Sequence, residues 1–193
     1  MNTYGVTYSL TAALCFAIAP IIYNNYLSTA SPITINLLRI FTACIVTSSM
    51  LLLIEGTNGF IITGFIALIM VLIVIAGTIL GDTLYLYSIR YLGPSIGQAI
   101  TSTYPLFVYF IARIIVKEFI SLPQLLAVVS IVIGLIMIFK RGANSNVHLS
   151  YLGLVVGITC ALSWSLSISM SAYVLQQITP LQYMALRNII SLV

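Results

Sequence analysis

Of 193 residues, 61% are hydrophobic and only 5% are Asp, Glu, Lys or Arg, where a soluble domain carries about 25% charged residues. Seven basic and three acidic side chains, a net charge of +4, cannot cover a water-soluble globule of this size, which excludes an ordinary soluble enzyme and a disordered tail. The positive balance comes from a scarcity of acids rather than from a dense Lys/Arg cluster, which excludes a nucleic-acid partner. Cys15, Cys44 and Cys160 lie far apart in apolar stretches beside a single histidine, so they read as small hydrophobes and give neither a disulfide frame nor a metal site.

A helix that crosses a bilayer needs about 20 mostly apolar residues. Six such stretches follow one another, and their length excludes the 9–11-residue strands of a barrel. The expected fold is therefore all-α, a polytopic membrane helical bundle. The first stretch, Tyr4 to Leu27, lacks a basic leading region and is too long for a signal core. Its Pro20, Asn24 and Asn25 either line a cavity or lie near the interface. The second, Ile33 to Ile54, carries Arg39 about two turns in. That guanidinium either snorkels to the headgroups or faces a cavity, where it binds an anionic group or pairs with an acid.

The third stretch, Phe65 to Tyr91, holds Asp82 near its middle, after Gly77 and Gly81. A carboxylate at that depth must be neutral, paired or wet. Arg39 is one partner, giving a structural ion pair; the alternative is a carboxylate in a water-filled cavity that binds protons or a cationic substrate. Tyr85, one turn on, is placed to donate to it. Gly93 and Pro94 separate the fourth stretch, Ser95 to Val116, whose centre holds Gln98, Thr101, Ser102 and Tyr104 ahead of Pro105, where a helix break is expected. A fifth runs from Leu122 to Phe139, and His148 follows in a solvated loop, Gly142 to Ser150. The sixth, Tyr151 to Leu175, contains Trp164. A seventh starts at Leu181 and has thirteen residues to Val193, about 20 Å of helix, too short to cross. The sequence therefore reads either as truncated after the start of that helix or as a chain whose short segment is completed by packing against something else.

An offset of 148 residues aligns the chain with itself. It pairs Gly5 with Gly153, Thr11 with Thr159, Ala13 with Ala161, Leu14 with Leu162, Leu27 with Leu175, Pro32 with Pro180, Leu38 with Leu186 and Arg39 with Arg187. Phe16 falls opposite Trp164. The Pro and Arg pairs weigh most, because Pro is uncommon in this sequence and Arg is costly inside a bilayer. The domains expected are a first five-helix repeat over 4–139, a connecting loop at 140–150 and the beginning of a second repeat at 151–193. Five crossings are an odd number, so the second copy must enter from the opposite face, as in inverted-repeat transporters with a midplane site.

These residues resemble an EamA-type member of the drug/metabolite transporter superfamily. Ala13-Leu14-Cys15-Phe16-Ala17 and Ala161-Leu162-Ser163-Trp164-Ser165 stand where that family places a Trp-Gly pair, with the Trp kept in the second copy and the Gly replaced in both. Pro32 with Arg39 and Pro180 with Arg187 match the family's Pro followed seven residues later by Arg. Ser102-Thr103-Tyr104-Pro105 loosely matches an element of the fourth helix; Lys117-Glu118 keeps the Glu of a Gly-Glu pair, and Gly134 matches a fifth-helix glycine where Ala127 replaces another. The resemblance implies ten helices in two inverted repeats and a small-molecule substrate.

The function expected is secondary transport, by alternating access, of small metabolites such as amino acids or amphipathic compounds, with proton coupling through Asp82 as one form of it. The alternative is a non-transporting membrane scaffold or partner subunit. The candidate cavity residues are Arg39, Asp82, Tyr85, Gln98, Thr101, Ser102, Tyr104, Trp164 and Arg187. No catalytic, metal or cofactor motif occurs, and a Walker loop is absent, so energy must come from a gradient or a partner. The expected partners are membrane lipids, a small-molecule substrate and a second copy of the chain, in a multi-pass protein of the cell membrane. Orientation is undecided by charge: Arg90, Lys140 and Arg141 on one face stand against Arg113 and Lys117 on the other, whereas the resemblance implies a cytoplasmic N-terminus.

Overall fold

The computed structural model describes residues 3–116, seven positions between 123 and 137, and residues 150–193. The expected fifth stretch is described only at those seven positions, each of them helical; Lys117, Glu118, Ala127 and His148 lie outside the described residues. Among the described residues the regular elements are α1 (Thr3–Tyr26), α2 (Pro32–Glu55), a 3-10 turn (Gly56–Phe60), α3 (Gly64–Ile73), a π-helical segment (Val74–Gly81), α4 (Asp82–Thr101), α5 (Tyr104–Val116), α6 (Tyr151–Val174) and α7 (Pro180–Ile190).

The helices α1, α2 and α6 have 24 residues each, about 36 Å and enough to cross the hydrocarbon layer. From Gly64 to Ile111 the chain is apolar and helical for 48 residues, twice what one crossing needs. It folds back at Gly93, whose φ of 79° lies in the left-handed region that glycine adopts without a Cβ clash, and Pro94 follows. The consequence is visible four turns apart in sequence: the Tyr85 hydroxyl donates to Gln98 Oε1 at 2.6 Å, although a straight helix would separate the two by about 20 Å. The expected boundary between the third and fourth stretches is therefore a helical hairpin. A second interruption, at Ser102 and Thr103, separates α4 from α5, and Pro105 occupies the first turn of α5, where its missing N–H costs nothing.

The starts of α2 and α7 are built alike. Ser31 and Thr179 cap them with side chains that accept from Thr34 N and Gln182 N, both at 3.1 Å, and Pro32 and Pro180 take the first helical position. The two helices lie side by side and run antiparallel. Thr179 Oγ1, at the start of α7, donates to Glu55 Oε1, at the end of α2, at 2.6 Å, and Asn188 Nδ2 reaches Thr47 Oγ1 at 3.2 Å.

The helix α6 runs through the middle, against α3, the π segment, α4 and α5. Apart from Trp164 and Val174 its buried face is small: Gly153, Gly157, Cys160, Ala161, Ser165, Ser167 and Ser171. Lipid tails are as apolar as leucine, so helices in a bilayer associate through close packing and interhelical hydrogen bonds rather than hydrophobic burial, and small residues permit that approach. Large apolar side chains such as Leu14, Ile18, Leu38, Leu53 and Phe65 point away from the bundle. The protein is a multi-pass membrane protein.

Candidate functional site

Asp82 opens α4, directly after the π segment. Such a widened turn accommodates an extra residue and is frequent at functional sites. Carbonyls in and next to this turn take donors from neighbouring helices: Ser167 Oγ donates to Ile73 O at 3.1 Å, Asn36 Nδ2 to Thr78 O at 2.9 Å and Cys160 Sγ to Gly81 O at 3.2 Å. Gly77 and Gly81 let α6 lie flush against the turn, since a Cβ at either would strike Ser167 Oγ or the Trp164 ring.

The side chain of Asp82 is 9% exposed. Its Oδ1 accepts from Trp164 Nε1 at 2.9 Å, and its Oδ2 accepts from Arg39 Nη2. Arg187 Nη2 lies 3.8 Å from the same Oδ2. Four helices thus meet at one carboxylate. Arg39 turns inward to an acid and not outward to the headgroups, and Asp82 is both ion-paired and at the border of a cleft. Arg39 Nη2 also donates to Asn36 Oδ1 at 3.0 Å, and the Asn36 amide reaches Thr83 Oγ1 at 3.0 Å. Arg187 Nε donates to Thr78 Oγ1 at 2.9 Å. These bonds answer the cost of burying charge, which is prohibitive for an isolated ion.

A cleft of about 530 Å³ opens onto this cluster, bordered by Arg39, Asp82, Tyr104, Trp164 and Arg187 among the expected residues and by Phe16, Ser167, Ser171 and Tyr183 besides. Its wall is aromatic: Trp164 lies 6.2 Å from Phe16 and 5.9 Å from Tyr104, centroid to centroid. Arg39 also borders a lateral apolar cavity of about 680 Å³ between α1 and α2.

Residues matched by the 148-residue offset meet one another here. Phe16 packs on Trp164, and Arg39 and Arg187 address the same carboxylate.

The other expected residues stand behind the cleft. The Tyr85 hydroxyl goes to Gln98 and not to Asp82, while its ring packs 5.2 Å from that of Trp164. Gln98 Nε2 donates to Ser102 Oγ at 3.3 Å, and neither residue lines the cleft. Thr101 is fully buried and returns its hydroxyl to Gly97 O at 3.0 Å. Asn24 and Asn25 are exposed on α1. Sequence reasoning overlooked Asn36, Thr78, Ser167, Ser171 and Tyr183. Asn36 is three residues before Arg39 and Thr78 four before Asp82, spacings that put each pair on one helical face and could have revealed them.

Residues 3–140 match the EamA-like transporter family. The chain belongs to that family. An uncharacterized transporter of Archaeoglobus fulgidus is 28% identical over 160 residues, which cover 83% of this chain and 55% of the relative. This EamA-family chain thus spans about half the length of that curated relative. No solved structure matches it significantly.

Proposed function

We propose that the chain works in a secondary transporter of small polar or amphipathic metabolites, amino acids among them, by alternating access around the Asp82 cleft. Family membership supports transport as the activity. The observation that carries the mechanism is the meeting of offset-matched residues, Phe16 with Trp164 and Arg39 with Arg187, in one cleft. Equivalent residues meet where a two-fold axis passes between two copies of a unit. The antiparallel run of α2 and α7 and their identical capping support the same reading. On this view 4–139 is a first five-helix repeat and 151–193 begins an inverted second one, and rocking of one against the other exposes the cleft to either side.

Cysteines introduced at Gly5 and at Tyr151, the exposed first residue of α6, test the inversion. Membrane-impermeant thiol reagents should label them from opposite faces of sealed vesicles, and labelling from one common face would sink the mechanism. Metabolite flux into proteoliposomes tests the activity itself; a folded protein without flux would favour the scaffold or partner-subunit reading.

Coupling to protons is a second reading, supported by the position of Asp82 as the sole acid among the described residues bordering the cleft. The charged and titratable groups around it are Arg39, Arg187, Tyr85 and Cys160, and Trp164 donates to it. With Asp82→Asn, flux should no longer respond to an imposed pH gradient while expression persists; an unchanged response would remove the proton from the cycle.

A further inference from the structure

We infer that the cleft takes an organic monoanion with an apolar, ring-sized body, and that Arg187 is the residue that receives its negative charge. The physiological meaning of this substrate class rests on the transporter reading; the binding argument does not.

The charges that border the cleft are Arg39, Arg187 and Asp82, two cations and one anion among the described residues. Guanidinium groups do not lose their protons in proteins, so the surplus is one positive charge. The two arginines are unequally served. Arg39 is in contact with Asp82 Oδ2 and has Asn36 Oδ1 as a second acceptor. Arg187 has one hydrogen bond, from Nε to Thr78 Oγ1, and its Nη2 stands 3.8 Å from the carboxylate, beyond hydrogen-bonding distance. Among the described residues neither of its terminal nitrogens has a hydrogen-bond acceptor, and the side chain, 24% exposed, borders the cleft and a smaller pocket of about 210 Å³ beside Asn188. Two adjacent N–H groups of a planar fork, with no hydrogen-bond acceptor and only the longer ion pair from Nη2 to Asp82, are the geometric complement of a carboxylate, which takes such a fork through two parallel bonds.

A cation is poorly served here. Two guanidiniums and one carboxylate already border the cleft, so an ammonium group would add a third cation to a site with a positive surplus. A dianion would exceed the surplus charge. The rest of the ligand meets the rings of Phe16, Tyr104 and Trp164, which favour a flat apolar body. The volume of about 530 Å³ is in the range of small-molecule sites.

Trp164 is the only tryptophan in the sequence and forms part of the wall, so fluorescence excited on the red edge, where the twelve tyrosines do not absorb, reports on this cleft. Phenylacetate, phenylacetamide and benzylamine are close in size and differ in charge. Phenylacetate is expected to give a saturable signal at a concentration at least about 10-fold below the amide and the amine. Arg187→Gln should weaken phenylacetate about 10- to 100-fold, the loss of a charge-assisted pair. Arg187→Lys, which keeps the charge without the fork, should fall between.

Equal or tighter binding of the amide or the amine, no saturable phenylacetate signal, or unchanged affinity in Arg187→Gln would each overturn the proposal. Should Arg187→Gln not fold, the three probes on the unaltered chain decide it. Binding that holds while vesicle flux is absent keeps the anion site and removes the transporter; flux of a neutral or cationic solute without phenylacetate binding does the reverse.

Discussion

Asp82→Ala is expected to lower the stability of the folded protein by about 3–5 kcal/mol, the cost of removing one partner from a buried charge pair. The reason lies less in the lost bond than in what stays behind. Arg39 and Arg187 would face each other in a membrane interior with no anion between them, and Trp164 Nε1 would lose its acceptor. Unfolding of the detergent-solubilised protein by heat or by SDS measures the loss. The second variant separates this explanation from simple cavity formation. In the Asp82→Ala background, Arg39→Met removes a cation that no longer has a partner, so it should restore part of the stability, whereas in the unaltered protein the same substitution should be costly. Residues of one network are not additive in this way by accident. If the two losses simply add, the carboxylate does not hold the arginines as described.

The next largest effects are expected at Gly77 and Gly81. Alanine at either should destabilise by about 1–3 kcal/mol, the usual range for overpacking, against a helix-propensity gain of up to about 1 kcal/mol. At Gly77 the new methyl group meets Ser167 Oγ, which is also bonded to Ile73 O; at Gly81 it meets the Trp164 ring, which is bonded to Asp82. Neither neighbour can move without breaking a buried bond. Gly64→Ala is the control, because no described atom lies within 4 Å of its added Cβ. Melting temperatures that rank all three substitutions together would mean that α6 does not rest on these glycines.

Much of this arrangement is legible in the sequence, for reasons that can be named. Spans follow from the apolar runs because lipid cannot satisfy an unpaired backbone. The hairpin follows from Gly93 and Pro94. Asp82 and Arg39 stand out because a charge in hydrocarbon needs a partner, and few were available. The residues paired by the 148-residue offset, Pro32/Arg39 and Pro180/Arg187, stand in similar helix starts and bring two guanidiniums to one carboxylate.

What stayed hidden depends on tertiary geometry. Val74–Gly81 reads as ordinary α-helix, since a switch from i−4 to i−5 bonding leaves no residue signature. Tyr85 was expected to find Asp82 one turn away; the fold-back supplies Gln98 from thirteen residues on. The hydroxyls of Thr101 and Thr103 turn to their own helix's carbonyls, as buried Ser and Thr often do, and so are spent before any ligand arrives. Asn36 shares the helical face of Arg39 at i,i+3 spacing, whereas Asn24 and Asn25 are exposed on α1.

The widened turn before Asp82 has a mechanical corollary. It carries one residue more than an α-helix of the same height, and feeding that residue onward would swing everything beyond it by about 100° around the helix axis. Asp82 would swing first, off both guanidiniums. What prevents this is borrowed from outside, from the Asn36, Ser167 and Cys160 side chains that clamp carbonyls in and beside the turn. Two of those three clamps sit on α6, so a translation of α6 along its own length is geared to the angular setting of a single acid.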